Sequence, residues 1–149
     1  MENRKWGIYI HVPWCKKKCI YCDFYAVEQK PNTYWFSEQI ISEFESRKSL
    51  YMKNPAISLY FGGGTPSLLK TCIIGKIINH LYAQKALAVD AEITLEANPE
   101  DINLNYANQL KKVGINRVSL GVQSFDDNIL HFLSRSHNAV LIKRAIVNL

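Results

Sequence analysis

Ile57-Ser58-Leu59-Tyr60-Phe61-Gly62-Gly63-Gly64-Thr65-Pro66 is the stretch whose reading decides the fold. Residues 57–61 form a short, mostly apolar run that reads as a buried strand, and the three glycines with Thr65-Pro66 end it in a turn. Beyond the turn, Ile73, Ile74, Ile77, Ile78 and Leu81 recur at the spacing of one helix face over residues 71–82. Strand, turn and helix make one βα unit, and the same order repeats on either side. Upstream, residues 7–12 read as a strand and residues 33–51 as a helix with an apolar stripe of Trp35, Phe36, Ile40, Ile41 and Phe44. Downstream, strands fall at residues 92–96 and 117–122, and helices near 104–113, near 127–133 and from 138 onward. Pro99 and Asp101 mark the approach to the helix at 104, Gly114 suits a left-handed cap after it, and Asp126 and Asp127 suit the start of the next. Alternation of this kind implies parallel strands joined by right-handed crossovers. The class is α/β, as a barrel or as a doubly wound sheet, with no sequence repeat beneath the structural one.

A chain of 149 residues, 48% of them hydrophobic and 11% aromatic, has material for a single core. Its net charge of +5 is spread along the chain rather than gathered into an arm, which argues against nucleic acid as a partner. The one dense basic cluster, Lys16-Lys17-Lys18, lies between two cysteines. No apolar run is long enough for a signal peptide or a membrane span, because residues 7–14 are few and are interrupted by His11 and Pro13; a cytoplasmic protein is expected. Three of the four cysteines fall within residues 15–22 and Cys72 is remote, a pattern that favours metal over two disulfides.

In both α/β architectures a ligand site forms at the carboxy-terminal ends of the strands, and the unusual residues collect there. The cysteine loop follows the first strand and the triple glycine the second, while Glu96-Ala97-Asn98-Pro99 and Gly121-Val122-Gln123-Ser124-Phe125 end the third and fourth. Cys15, Cys19 and Cys22 can wrap three corners of an iron–sulfur cubane and leave one iron open to an outside ligand. Structural zinc is the competing reading, with His11 as a fourth ligand; a redox dithiol leaves the third cysteine without a role. The glycine run lets backbone approach a ligand closely, but it lacks the lysine of a phosphate loop and the spacing of a dinucleotide fingerprint. Glu96 can accept hydrogen bonds from an ammonium or a ribose, and Gln123 can donate and accept. His80, His131 and His137 show no ligand spacing, and Cys72, on an apolar helix, reads as a core residue.

Tyr9-Ile10-His11-Val12-Pro13-Trp14-Cys15 with Cys19 and Cys22, then Tyr60-Phe61-Gly62-Gly63-Gly64-Thr65-Pro66-Ser67, resembles the radical S-adenosylmethionine (radical SAM) superfamily, and within it the group of coproporphyrinogen dehydrogenases and HemW-type heme chaperones. Glu92-Ile93-Thr94-Leu95-Glu96-Ala97-Asn98-Pro99-Glu100 and Arg117-Val118-Ser119-Leu120-Gly121-Val122-Gln123-Ser124-Phe125-Asp126 look like that group's next two blocks, so the likeness covers about residues 7–145. It implies a partial TIM-like barrel with about four βα units present. It also implies a 4Fe-4S cluster held by Cys15, Cys19 and Cys22, with the amino and carboxylate groups of S-adenosylmethionine on the fourth iron. An electron from the cluster would cleave a carbon–sulfur bond, giving methionine and a 5'-deoxyadenosyl radical. Tyr9, Tyr21, Gly63, Gly64, Thr65, Glu96, Gln123 and Arg135 would contact the nucleoside or methionine parts. No residue is singled out as a catalytic acid or base. Lys16, Lys17 and Lys18 would steer an acidic electron donor of the flavodoxin type, unless they are only a solvated loop.

Two departures bear on the branch. The porphyrinogen-oxidising enzymes typically carry a further cysteine two positions after the third, where this chain has Phe24, and they carry an amino-terminal extension before the first strand, which is absent from residues 1–149. Both features look like the heme chaperone, a cytoplasmic protein that binds heme and passes it to haemoproteins; coproporphyrinogen III oxidation is the alternative. Four units are too few for an eight-stranded barrel of roughly 250 residues. Residues 1–149 are accordingly expected to be the amino-terminal portion of a radical SAM core, without the remaining barrel strands and carboxy-terminal region. An inactive fragment or a zinc-binding module is the remaining alternative.

Overall fold

The computed structural model describes residues 5–51 and 54–149. Four strands, β1 (Gly7–Val12), β2 (Ala56–Gly63), β3 (Leu87–Ala97) and β4 (Arg117–Leu120), alternate with α1 (Thr33–Tyr51), α2 (Thr71–Ala83) and α3 (Leu104–Lys112), and α4 (Asp127–Phe132) and α5 (Ala139–Asn148) follow. All neighbouring strands are parallel and lie in the order β1-β2-β3-β4. That order settles what alternation left open. A doubly wound sheet must reverse its strand order at a switch point, whereas consecutive order with right-handed crossovers sends every helix to one face, as in a barrel wall.

The register gives the two faces different chemistry. Ile10, Phe61, Leu95 and Val118 align across the sheet, and Leu59, Phe61, Ile93 and Leu95 are at most 1% exposed. Against this face lie Ile73, Ile74, Ile77, Ile78 and Leu81 of α2. The adjacent row, Tyr9, Tyr60, Thr94 and Arg117, points to the other face, with Glu96 beside Ser119 further along. Side chains alternate along a strand, so burying one row under helices turns the polar row toward the barrel interior.

Several boundaries differ from the sequence reading. β3 begins five residues early, at Leu87, because an irregularity opposite Ala56 and Ser58 lets its first residues pair, and solvent-facing Val89 and Asp90 had concealed the strand. β4 stops at Leu120 rather than at residue 122, where Val122 N–H turns back onto the Leu120 carbonyl at 2.9 Å and Gln123 takes a left-handed φ of 66°. In α1, Phe36 is buried edge-on to Trp14, with ring centroids 5.1 Å apart, whereas Trp35 faces solvent. Cys72 is exposed rather than part of the core. Asn103, not Asp101, caps α3, accepting from Tyr106 N–H at 2.9 Å. Asp126 caps α4 as expected, while Asp127 accepts from Ala139 N–H at the start of α5. Gly114 takes φ 100° after α3, with Gly114 N–H on Lys111 and Ile115 N–H on Leu110.

Candidate functional site

A cavity of about 300 Å³ opens at the carboxy-terminal ends of the strands. Cys15, Cys19, Cys22, Tyr21, Gly63, Gly64, Thr65, Glu96, Gln123 and Arg135 all line it. Tyr9 does not. Its ring stacks on Tyr60 with centroids 6.0 Å apart, its hydroxyl meets His11 Nδ1 at 3.1 Å, and it lines a separate groove between β1 and α1.

The cysteine loop is closed at its base. Cys15 N–H donates to the Val27 carbonyl at 3.0 Å and Val27 N–H to the Pro13 carbonyl at 2.7 Å. Within it, Cys22 N–H reaches the Cys19 carbonyl at 3.1 Å, a turn that brings the last two thiols round to the cavity. All three are free thiols, and two receive hydrogen bonds at sulfur: Thr65 Oγ1 donates to Cys15 Sγ at 3.4 Å and Arg135 Nη1 to Cys19 Sγ at 3.3 Å. Burial pushes the Cys15 thiol up, the Thr65 hydroxyl opposes this, and the nearby Cys22 and Cys19 add to the rise.

The glycine turn is shaped by its neighbours. Gly63 has φ 108°, and a Cβ there would meet the His11 ring at 2.5 Å. At Gly64 a Cβ would lie 2.6 Å from the Trp14 carbonyl oxygen and 2.8 Å from that of Val12. The same carbonyls accept from Thr65 N–H and Gly64 N–H, each at 2.7 Å, so the turn is stitched to the cysteine loop. Glu96 is held from two sides, by Tyr60 O–H at 2.8 Å and Gly63 N–H at 3.1 Å. Burial, with Glu96 adding to it, raises the phenol pKa values of Tyr60 and Tyr9.

Arg135 joins the loops. Ser134 takes φ 59° after α4, and Arg135 N–H closes onto the Leu130 carbonyl at 2.9 Å. This cap aims the guanidinium across the cavity, where Nη2 reaches Asn98 Oδ1 at 2.6 Å and the Gly121 carbonyl at 3.0 Å, and Nη1 reaches Tyr21 O–H at 3.4 Å as well as Cys19. Its buried Nε has no protein partner among the described residues.

Sequence reasoning missed Asn98, Asp101 and the part played by Lys16. Asp101 accepts from Lys16 in the cysteine loop and from Ser67 O–H at 2.6 Å, and Ser67 follows the glycine turn. Only Pro99, confining the chain after β3, signalled this corner. Lys16 is therefore engaged, while Lys17 and Lys18 line the cavity.

The donor set discriminates between the two metal readings. Among the described residues no three His, Cys, Asp or Glu side chains converge on one ion. The proposed fourth zinc ligand is also committed, since His11 Nε2 meets the Tyr25 carbonyl at 2.9 Å while Nδ1 meets Tyr9. Three thiols spread round a cavity, two of them with hydrogen bonds at sulfur, fit a polynuclear iron–sulfur group.

Fold and site together define a barrel-type βα protein with three free thiols round a cavity at its strand ends. The chain belongs to the radical SAM superfamily, whose family model matches residues 9–149. It is 38% identical over 144 residues to heme chaperone HemW of Buchnera aphidicola subsp. Acyrthosiphon pisum, covering 95% of this chain and 38% of that protein. Against heme chaperone HemW of Escherichia coli it is 35% identical over 141 residues, covering 93% and 37%. A solved structure of coproporphyrinogen III oxidase (HemN) from Escherichia coli, a radical SAM enzyme, superposes with a TM-score of 0.86 at 27% identity, over 97% of this chain and 34% of that one. The chain thus spans well under half the length of these relatives. Membership of the family implies a 4Fe-4S cluster and S-adenosylmethionine. Among the described residues no helix is long and apolar enough to cross a membrane.

Proposed function

We propose that the chain is the amino-terminal portion of a radical SAM core, that Cys15, Cys19 and Cys22 hold three irons of a 4Fe-4S cluster, and that S-adenosylmethionine occupies the adjoining cavity in a protein of the heme-chaperone branch. The observation that carries this is the meeting of three free thiols, two of them hydrogen-bonded at sulfur, with Gly63, Gly64, Thr65, Glu96, Gln123 and Arg135 around one cavity. When bound, the cluster supplies one electron for reductive cleavage of S-adenosylmethionine.

The chain's own residues bind and orient. Thr65 and Arg135 direct hydrogen-bond donors at the sulfurs of Cys15 and Cys19, which orients both as ligands. Glu96, with each oxygen already fixed, presents a rigid acceptor to an ammonium or ribose hydroxyl. Tyr21 and Phe24 flank the cavity with apolar surface for a purine, and Gln123 supplies a donor and an acceptor. Tyr9 acts at one remove, packing Tyr60, which in turn holds Glu96. Lys17 and Lys18 at the rim suit an acidic electron donor of the flavodoxin type, and free thiols suit the reducing cytoplasm.

The HemW relatives, and Phe24 standing where porphyrinogen oxidases typically carry a cysteine, support heme binding and delivery to haemoproteins as the whole protein's task. The structural likeness to HemN keeps coproporphyrinogen oxidation as the second reading. Anaerobic reconstitution with iron and sulfide is expected to give broad visible absorption that bleaches on reduction, and S-adenosylmethionine with reductant to release 5'-deoxyadenosine. A colourless product overturns the cluster. Heme titration against coproporphyrinogen turnover, carried out on the full-length protein, separates the branches.

A further inference from the structure

His137 and Glu100 form a buried pair that lines no part of the cofactor cavity. The His137 side chain is 0% exposed and that of Glu100 17%. His137 Nδ1 lies 2.9 Å from Glu100 Oε2, and Nε2 lies 3.2 Å from the Val122 carbonyl oxygen. Both partners present oxygen atoms to the ring, Glu100 at Nδ1 and the Val122 carbonyl at Nε2, so the imidazole is held at both nitrogens. A buried polar pair is a poor source of stability compared with apolar side chains of the same volume. What this one does provide is geometry.

The loop after β4 needs an external hold. Gln123 adopts φ 66°, a left-handed conformation unfavourable for a non-glycine residue. Its two neighbouring carbonyls are gripped by alternate residues of the segment between α4 and α5: Gly121 by Arg135, and Val122 by His137. The same two side chains also grip Asn98, through the same Arg135 Nη2, and Glu100, through the other ring nitrogen of His137, alternate residues after β3. Two parallel rungs therefore tie the third strand-end loop to the fourth.

We propose that His137 is a positioning residue for the cofactor cavity: clamped between Glu100 and Val122, it holds the loop after β4 in the strained form that presents Gln123 to S-adenosylmethionine. This rests on the cofactor reading above. In the cluster-free full chain, His137→Ala is expected to speed amide exchange at Val122 and Ser124 about tenfold, with Leu95 and Leu120 unchanged. In the reconstituted protein its S-adenosylmethionine affinity should fall about tenfold at unchanged iron content. His137→Gln, which keeps N–H donors, should recover most of both. Unaltered loop exchange overturns the proposal, as does wild-type affinity in His137→Ala. So does a parallel loss of iron and affinity in that variant, which marks a merely structural role. A wild-type chain that takes up no cluster refutes the cofactor reading instead, before any variant is compared.

Discussion

Replacing Gly64 by alanine tests whether the glycine turn and the cysteine loop form one unit. The new Cβ would sit 2.6 Å from the Trp14 carbonyl oxygen, 2.8 Å from that of Val12 and 3.0 Å from the Trp14 carbonyl carbon. All three are backbone atoms, so no side-chain rotation relieves the contact. Opening the shortest gap to the 3.4 Å of an ordinary contact displaces the turn from the carbonyls that accept Gly64 N–H and Thr65 N–H at 2.7 Å. Those carbonyls belong to buried residues, Val12 being 0% and Trp14 7% exposed. Two weakened hydrogen bonds, each worth about 1 kcal/mol net, together with the cost of overpacking, predict a loss of about 2–4 kcal/mol. A typical domain survives that, with its urea midpoint lowered by about 1–2 M. Trp14 precedes Cys15, so the variant should also retain well under half the wild-type iron after reconstitution. Gly62→Ala is the contrast. Its Cβ would meet Tyr60 at 2.8 Å and Tyr9 at 3.0 Å, ring atoms that can swing aside, and a loss of about 1 kcal/mol is expected. Urea unfolding of the cluster-free protein, followed by iron assay, measures both. If Gly64→Ala matches wild type in midpoint and iron content, the stitched-turn argument is wrong.

Three further outcomes follow from individual side chains. Cys72→Ser, altering an exposed thiol, should leave iron content at the wild-type level, whereas Cys19→Ser should abolish most of the visible absorption; equal losses would sink the assignment of ligands. Tyr106 donates to the Ser67 carbonyl at 3.1 Å, and burial, with Asp101 adding to it, holds its phenol well above the ordinary 10.0. The folded state keeps a proton that the unfolded chain releases, so this stabilisation is complete below about pH 10 and is lost as the pH rises further. Tyr106→Phe should therefore be about 1 kcal/mol less stable at pH 7 but show a flatter decline above pH 10 in denaturation curves. Lys85 takes φ 58° beyond α2, with Ala86 N–H closing onto the Leu81 carbonyl at 2.8 Å. Lys85→Gly should remove about 1 kcal/mol of strain and raise Tm by about 2–4 °C, while Lys85→Ala should not.

Legibility along the chain followed the range of the interactions involved. β1 and α1 fall at the expected limits, and Gly114 and Asp126 cap as read, because caps and periodicity are written in residues a few positions apart. The beginning of β3 was hidden, since its pairing with Ala56 passes through an irregularity between Leu87 and Glu92 that breaks the strand pattern. Asp101 resembled an ordinary helix-start residue, yet its carboxylate is committed to Lys16, 85 positions away. Arg135 entered only by resemblance, and nothing local announces that it reaches Cys19, 116 positions earlier. His137 showed no ligand spacing, and nothing local announces that its ring lies between Glu100 and the Val122 carbonyl.

By itself the sequence determined the donor inventory and the local backbone: three thiols in one short loop, a glycine turn after a strand, and four alternating βα units. Covalent spacing and backbone sterics are sufficient for these. Only the tertiary structure decided between a barrel wall and a doubly wound sheet, set Tyr9 outside the cavity, and committed His11 to the Tyr25 carbonyl and the Tyr9 hydroxyl. Each of those outcomes depends on strand order and register, which bring together groups that the chain keeps far apart.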